Sequence, residues 1–211
     1  MVDTIDWCEI HGVFVGERGK CPKCSTEPKQ QPVPITTIIG GQDLAKHRDY
    51  SALVALEIIA KKARICGIKQ WPHSDYRTVM AETRDIYRQK KFKLLGLDQN
   101  AMGEPVMEMY QSMGLKVEGV RFTLVTKAEM VELLRALLDS GQLEIPRHGG
   151  PLFVELRTQI KEQEVLIGAS ENPRFEHPTG RHDDLFWALA ISCYVARPWL
   201  TANQGWVVRL R

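Results

Sequence analysis

Between Thr36 and Trp71 three β-patterned stretches follow one another with little between them, TTIIGGQD, SALVALEIIA and ARICGIKQW, and beyond Trp71 helical and strand-like patterns alternate. The first reads as a strand ending at Asp43, and the other two as strands joined by a turn at Lys61-Lys62, which predicts an antiparallel meander. Ser74 as N-cap, with Tyr76, Met80, Thr83 and Tyr87 at helical spacing, predicts a helix reaching the basic residue Lys91. FKLLGLD reads as a buried strand, PVMEMYQSMG as a short helix stopped by Gly114, and VEGVRF as a further strand. From Thr126 to Ser140 a helix is expected, with Thr126 and Glu129 as a capping box and Gly141 as the stop. QLEIP is a short strand, residues 152 to 168 are mixed, and an apolar helix runs from His182 to Val195. A meander followed by alternation implies an α/β fold, a mixed sheet of five or more strands with helices on its faces.

Composition limits the function only weakly. The 211 residues carry 44% hydrophobic and 26% charged side chains, as in folded soluble proteins, and a formal charge of +2. Any contact with nucleic acid must therefore come from local clusters such as Lys61, Lys62 and Arg64, or Arg88, Lys90, Lys91 and Lys93. No run of about 18 apolar residues is present, and the order from Met1 to Asp6 is not that of a secretory signal, so a cytoplasmic protein with no membrane partner is expected. The segment STEPKQQPVP, residues 25 to 34, has linker composition. We place a small module at 1–27, a linker at 28–35, the main domain at 36–200 and a tail at 201–211.

Asp43 and Asp98 each close an apolar strand, and Asp183-Asp184 open a helix that is apolar almost all round. Alone, each has an ordinary structural reading: an Asp after a strand forms turns, and an Asp at a helix start complements the macrodipole. Together they pose an electrostatic problem. Strand ends of such sheets border the crevice where ligands collect, and converging carboxylates resist both desolvation and one another unless a cation sits among them. Hard oxygen donors suit magnesium or manganese. Two such ions roughly 3.5 to 4 Å apart activate water and stabilise the leaving oxygen of a phosphodiester, so hydrolysis of nucleic acid is the implied chemistry.

Cys8-x2-His11 and Cys21-x2-Cys24, with Gly12 and Gly19 for tight turns, have the spacing of a closed structural zinc site. Metal would supply most of the folding energy of so small a module. The alternative is an incidental His11 beside three free cysteines. The string resembles the small zinc ribbons of phage and replication proteins.

The stretches GGQDLAKHRDYSALVALE, KLLGLDQNAMGEPVMEMY and RHDDLFWALAISCYVA, in that order, resemble the three acidic motifs of the nuclease domain of phage large terminase subunits. The resemblance covers about residues 36 to 197. It implies a ribonuclease H-like fold, two Mg2+ or Mn2+ ions, and cutting of double-stranded DNA with little sequence preference. It implies a catalytic Asp43 with a second acid at Asp49, the strand-end acid Asp98, and the helix-start pair Asp183 and Asp184, with Asp184 the favoured essential ligand. Complete terminases also carry an ATPase, yet the sequence has no GxxxxGK[ST]. Either the motor is a separate packaging ATPase, with a portal or small terminase subunit as further partners, or the nuclease works independently of packaging, or the sequence is a piece of a longer chain; host cytoplasm is expected if the protein is viral.

His182, like His177, could serve as an auxiliary acid or phosphate ligand, or simply as a loop or cap residue. Glu155 and Glu171 are weaker ligand candidates, and Trp71, Trp187, Trp199 and Trp206 read as packing rather than base-stacking platforms. Two other functions share these features: a Holliday-junction resolvase-like nuclease, because fold does not fix substrate, and a non-catalytic zinc-ribbon DNA-binding or assembly module.

Overall fold

A computed structural model describes residues 7–8, 13–14, 36–44, 50–102, 104–167, 173–176 and 182–201. The chain divides into two compact units, Met1–Pro34 and Ile35–Arg211. In the first, strands β1 (Trp7–Cys8) and β2 (Val13–Phe14) pair antiparallel. His11, Cys21 and Cys24 lie outside the described residues.

The second unit is built on β3 (Thr37–Asp43), β4 (Tyr50–Ile59) and β5 (Lys62–Pro72), which form the expected antiparallel meander. Ala60 and Lys61 take left-handed backbone angles in the β4–β5 turn. Helix α1 (Tyr76–Lys90) then crosses to β6 (Leu94–Asp98), which lies parallel to β3. Helices α2 (Gln99–Met102) and α3 (Glu104–Ser112) lead to β7 (Val117–Val120), and α4 (Leu124–Asp139) returns across the sheet to β8 (Leu143–Glu144). The six strands stand in the order β7-β6-β3-β4-β5-β8, and only β4 runs against the rest. Helix α5 (Pro151–Glu162), a hairpin of β9 (Glu164–Ile167) and β10 (Pro173–Glu176), α6 (Asp184–Val195) and α7 (Arg197–Leu200) complete the unit.

Two apolar clusters sandwich the sheet. One joins Ile39, Val54, Leu56 and Leu94 to α4, α5 and α6; the other joins Leu53, Leu95 and Leu97 to α1 and α3. Helix α6 lacks a polar face because sheet, α4 and α5 surround it, and every residue from Leu185 to Cys193 is buried. Among the described residues no helix is long and apolar enough to cross a membrane.

Two helix starts differ from the sequence expectation. The N-cap of α1 is Asp75, whose carboxylate accepts from the Thr78 N–H at 3.1 Å, while Ser74 donates to the Pro72 carbonyl instead. Helix α4 begins at Leu124 under a Thr123 cap, not at Thr126. Thr123 Oγ1 accepts from the Thr126 N–H at 3.1 Å, and Glu129 accepts from the Tyr194 hydroxyl at 3.1 Å, so no capping box forms. An extended Thr123 leaves its hydroxyl aimed at the open first turn, which outcompetes a box one residue triplet later.

Candidate active site

Side chains alternate along a strand, so Ile39, Gly41 and Asp43 share one face of β3, and Leu94, Gly96 and Asp98 share the same face of β6. On that face lies α6. A Cβ at Gly41 would collide with the Ala188 carbonyl oxygen and the Ser192 backbone nitrogen, and one at Gly96 with Ile191 and Val195. Both aspartates thus follow, by two residues, a glycine that lets the helix lie directly on the backbone. Parallel pairing of Gln42 with Leu97 sets the two strand ends side by side. The start of α6 brings Asp183 and Asp184 to the same end, since both act electrostatically on Asp43.

The group concentrates negative charge. Burial first, then Asp98, Asp184 and Asp183, push the Asp43 carboxyl well above the usual range, and Lys127 alone among the named charges opposes them. Asp184, only 5% exposed, is also raised, again by burial first, although Gln70 Nε2 donates to its Oδ2 at 2.7 Å and holds the shift down. Asp183 Oδ2 accepts from the Trp187 indole N–H at 2.7 Å, and Asp98 Oδ1 accepts from the Asn100 N–H at 2.8 Å. His182 Nδ1 stands 3.9 Å from Asp184 Oδ1, with its ring 4.4 Å from that of Tyr50.

A family profile described as the terminase RNaseH-like domain matches residues 40–193, most of the chain. The chain belongs to the terminase RNaseH-like domain family. Solved structures agree on the fold. The large terminase nuclease of thermophilic phage G20c with bound magnesium superposes with a TM-score of 0.66 at 18% identity, over 78% of this chain and 82% of that one. The large terminase nuclease domain of Thermus phage P74-26 gives 0.67 at 16%, over 82% and 84%. The large terminase of the thermophilic bacteriophage D6E gives 0.60 at 11%, over 81% of this chain and 41% of that one. None of the curated proteins matches the chain.

In this terminase-family chain, Gln70 reaches Asp184 because of a β-bulge that the strand pattern of the sequence does not predict. Ala55 pairs with Gly67 and Leu56 with Ile65, so Cys66 is an extra residue on β5 and reverses the alternation beyond it. Ala63 and Ile65 face α6 before the bulge; Ile68 packs on that face after it, and Gln70 follows in phase. The sequence signal was the exchange of apolar positions from 63 and 65 to 68. Trp187 does more than the packing its sequence context predicts, since its indole N–H holds Asp183.

The two basic clusters expected to meet phosphate lie elsewhere. Lys61 and Lys62 turn the chain at the end of β4 remote from Asp43, and Arg88, Lys90, Lys91 and Lys93 cluster where α1 ends and β6 begins, beside Ile38. Both sit at the sheet end opposite the carboxylates, because the strands carrying Asp43 and Asp98 point away from them. Glu155 accepts from Gln159 within α5. Asp49, Glu171 and His177 lie outside the described residues.

Among the described residues no three His, Cys, Asp or Glu side chains are gathered tightly enough to form a finished ligand shell for a metal ion. The carboxylates border one end of the sheet without closing on a point. Their chemistry nonetheless fits a hard divalent cation: all are oxygen donors, and the mutual repulsion that raises Asp43 is what bound positive charge relieves.

Proposed function

We propose that the chain is a divalent-metal-dependent endonuclease that hydrolyses double-stranded DNA in viral genome packaging, with Asp43, Asp98 and Asp184 as metal ligands and Asp183 and Asp49 in support. The observation that carries this reading is the placing of Asp43, Asp98, Asp183 and Asp184 at one end of the sheet of a terminase-family fold, where the other three all raise Asp43. Crystal structures of the G20c nuclease hold magnesium or cobalt, and one of the Sf6 terminase nuclease domain holds manganese, which supports magnesium or manganese here. Bound at these carboxylates, a pair of such ions would neutralise the phosphodiester and acidify a water. The protein's own contribution is orientation. Gln70 fixes one oxygen of Asp184, leaving the other towards His182, and Trp187 fixes Asp183. Asn100 clamps Asp98 through its backbone N–H. Cys8, His11, Cys21 and Cys24 would hold one structural zinc ion.

Plasmid cleavage with magnesium, manganese or chelator, beside Asp184→Asn and with a four-way junction as competitor, tests the reading. Nicking and linearisation that need metal and are lost in the variant are expected, with the junction competing no better than linear duplex. Cleavage that survives Asp184→Asn would overturn the site, and strong competition by the junction would move the substrate to branched DNA.

A further inference from the structure

An acidic group that must hold a polyanion needs positive charge from the protein as well as from ions, and the conspicuous basic clusters sit at the wrong end of the sheet. Lys127, in the first turn of α4, is differently placed. Its Nζ lies 4.4 Å from the centroid of the Trp187 ring and 5.2 Å from that of Phe122, and the two rings are themselves 5.2 Å apart at 53°. The Trp187 indole N–H is bonded to Asp183, so the platform under the ammonium is tied to the carboxylate group. Among the described residues Lys127 makes no ion pair within 4.0 Å, in contrast to Lys69, Arg64 and Arg84. Its field nevertheless reaches Asp43. Ring faces attract an ammonium without supplying the oxygen acceptors that its three N–H donors prefer. Lys127 is thus held in place, half-buried, with hydrogen-bonding capacity to spare, within electrostatic reach of Asp43.

We propose that Lys127 is a phosphate-binding residue of this site, its ammonium braced on Trp187 and Phe122 to receive a non-bridging oxygen of the DNA backbone next to the carboxylates. The assignment rests on the nuclease reading for its substrate, and on the three ring distances for its geometry. A lysine serves here as a point charge approached from the side that the rings leave open.

The test measures binding apart from cleavage. Wild type, Lys127→Met, Lys127→Gln and Lys127→Arg are titrated with a short fluorescein-labelled duplex in calcium over a series of salt concentrations. Thermal melts of each protein run alongside, and single-turnover cleavage in magnesium follows. Lys127→Met keeps the stem on the rings and removes only the charge. It is expected to weaken binding about tenfold at low salt and to lower the slope of log affinity against log salt by about one, the signature of one lost phosphate contact, while Lys127→Arg restores the slope. Lys127→Gln carries the same expectation should the Met variant melt early. A slope unchanged in a folded neutral variant overturns the proposal. The two readings fail separately: cleavage that persists in Asp184→Asn beside a Lys127-dependent slope overturns only the nuclease site, whereas Asp184-dependent cleavage with a Lys127-independent slope overturns only the phosphate contact.

Discussion

Asp43 and Asp184 are carboxyls that the fold makes reluctant to ionise, and their cost is paid in the metal-free protein. Because folded Asp43 keeps its proton to higher pH than the unfolded chain does, the native state binds more protons in that window. Stability therefore falls as pH rises from the ordinary Asp value of about 3.9 through the raised folded value, and the loss is complete above it. Asp184 contributes with the same sign. In chelator, Asp43→Asn should melt above wild type at neutral pH, with the difference vanishing towards pH 4, while cleavage in magnesium is abolished; a variant that melts lower at every pH would contradict this account. Gln70 acts in the opposite sense, since its hydrogen bond lowers the Asp184 pKa. Gln70→Ala should shift the ascending limb of the cleavage pH profile to higher pH, and an unmoved limb would mean that the 2.7 Å contact leaves Asp184 unaffected.

At the scale of elements, the site depends on how closely α6 lies on β3 and β6. Gly41→Ala puts a methyl group into the helix backbone at Ala188 and Ser192, where no side-chain rotation relieves it. It should destabilise by about 3 kcal/mol or more in denaturant titrations, at the upper end for overpacking; an effect below about 1 kcal/mol would mean that α6 can lift off. The caps give a sharper contrast. Thr123→Ala should cost about 1 kcal/mol, whereas Thr126→Ala, whose hydroxyl caps nothing, should stay within about 0.5 kcal/mol; equal effects would argue for the capping box. Most of these elements were legible because strand and helix periodicities are local, as in the β3–β4–β5 meander and the apolar α6. The glycine two residues before Asp43 and before Asp98 also stood in the sequence, as GQD and GLD, and its meaning waited on the helix that covers it. The bulge at Cys66 left only a shift of apolar positions from 63 and 65 to 68 in the sequence, and that shift alone does not place it, because which residue a strand skips depends on its partner.

At the scale of the molecule, charge is sorted along the strands, with acids where β3 and β6 end and bases where they begin. Binding a cation at the acidic end should stabilise the native state by mass action, by about 2.7 kcal/mol when magnesium is at a hundredfold its dissociation constant. Melting temperature should thus rise with magnesium in wild type and not in Asp43→Asn, and an equal rise in both would place the ion elsewhere. The sequence by itself determined the order of the main strands and helices from β3 to β8, the mixed α/β class, and the position of Asp43, Asp98, Asp183 and Asp184 at element ends, since each depends on residues a few positions apart. Only the tertiary structure decided that Gln70 bonds Asp184, that the field of Lys127 reaches Asp43, and that the basic clusters lie at the other end of the sheet. Those outcomes turn on the bulge in β5, the crossover of α4 and the common direction of β3 and β6, contacts between segments far apart in the chain that no local period encodes.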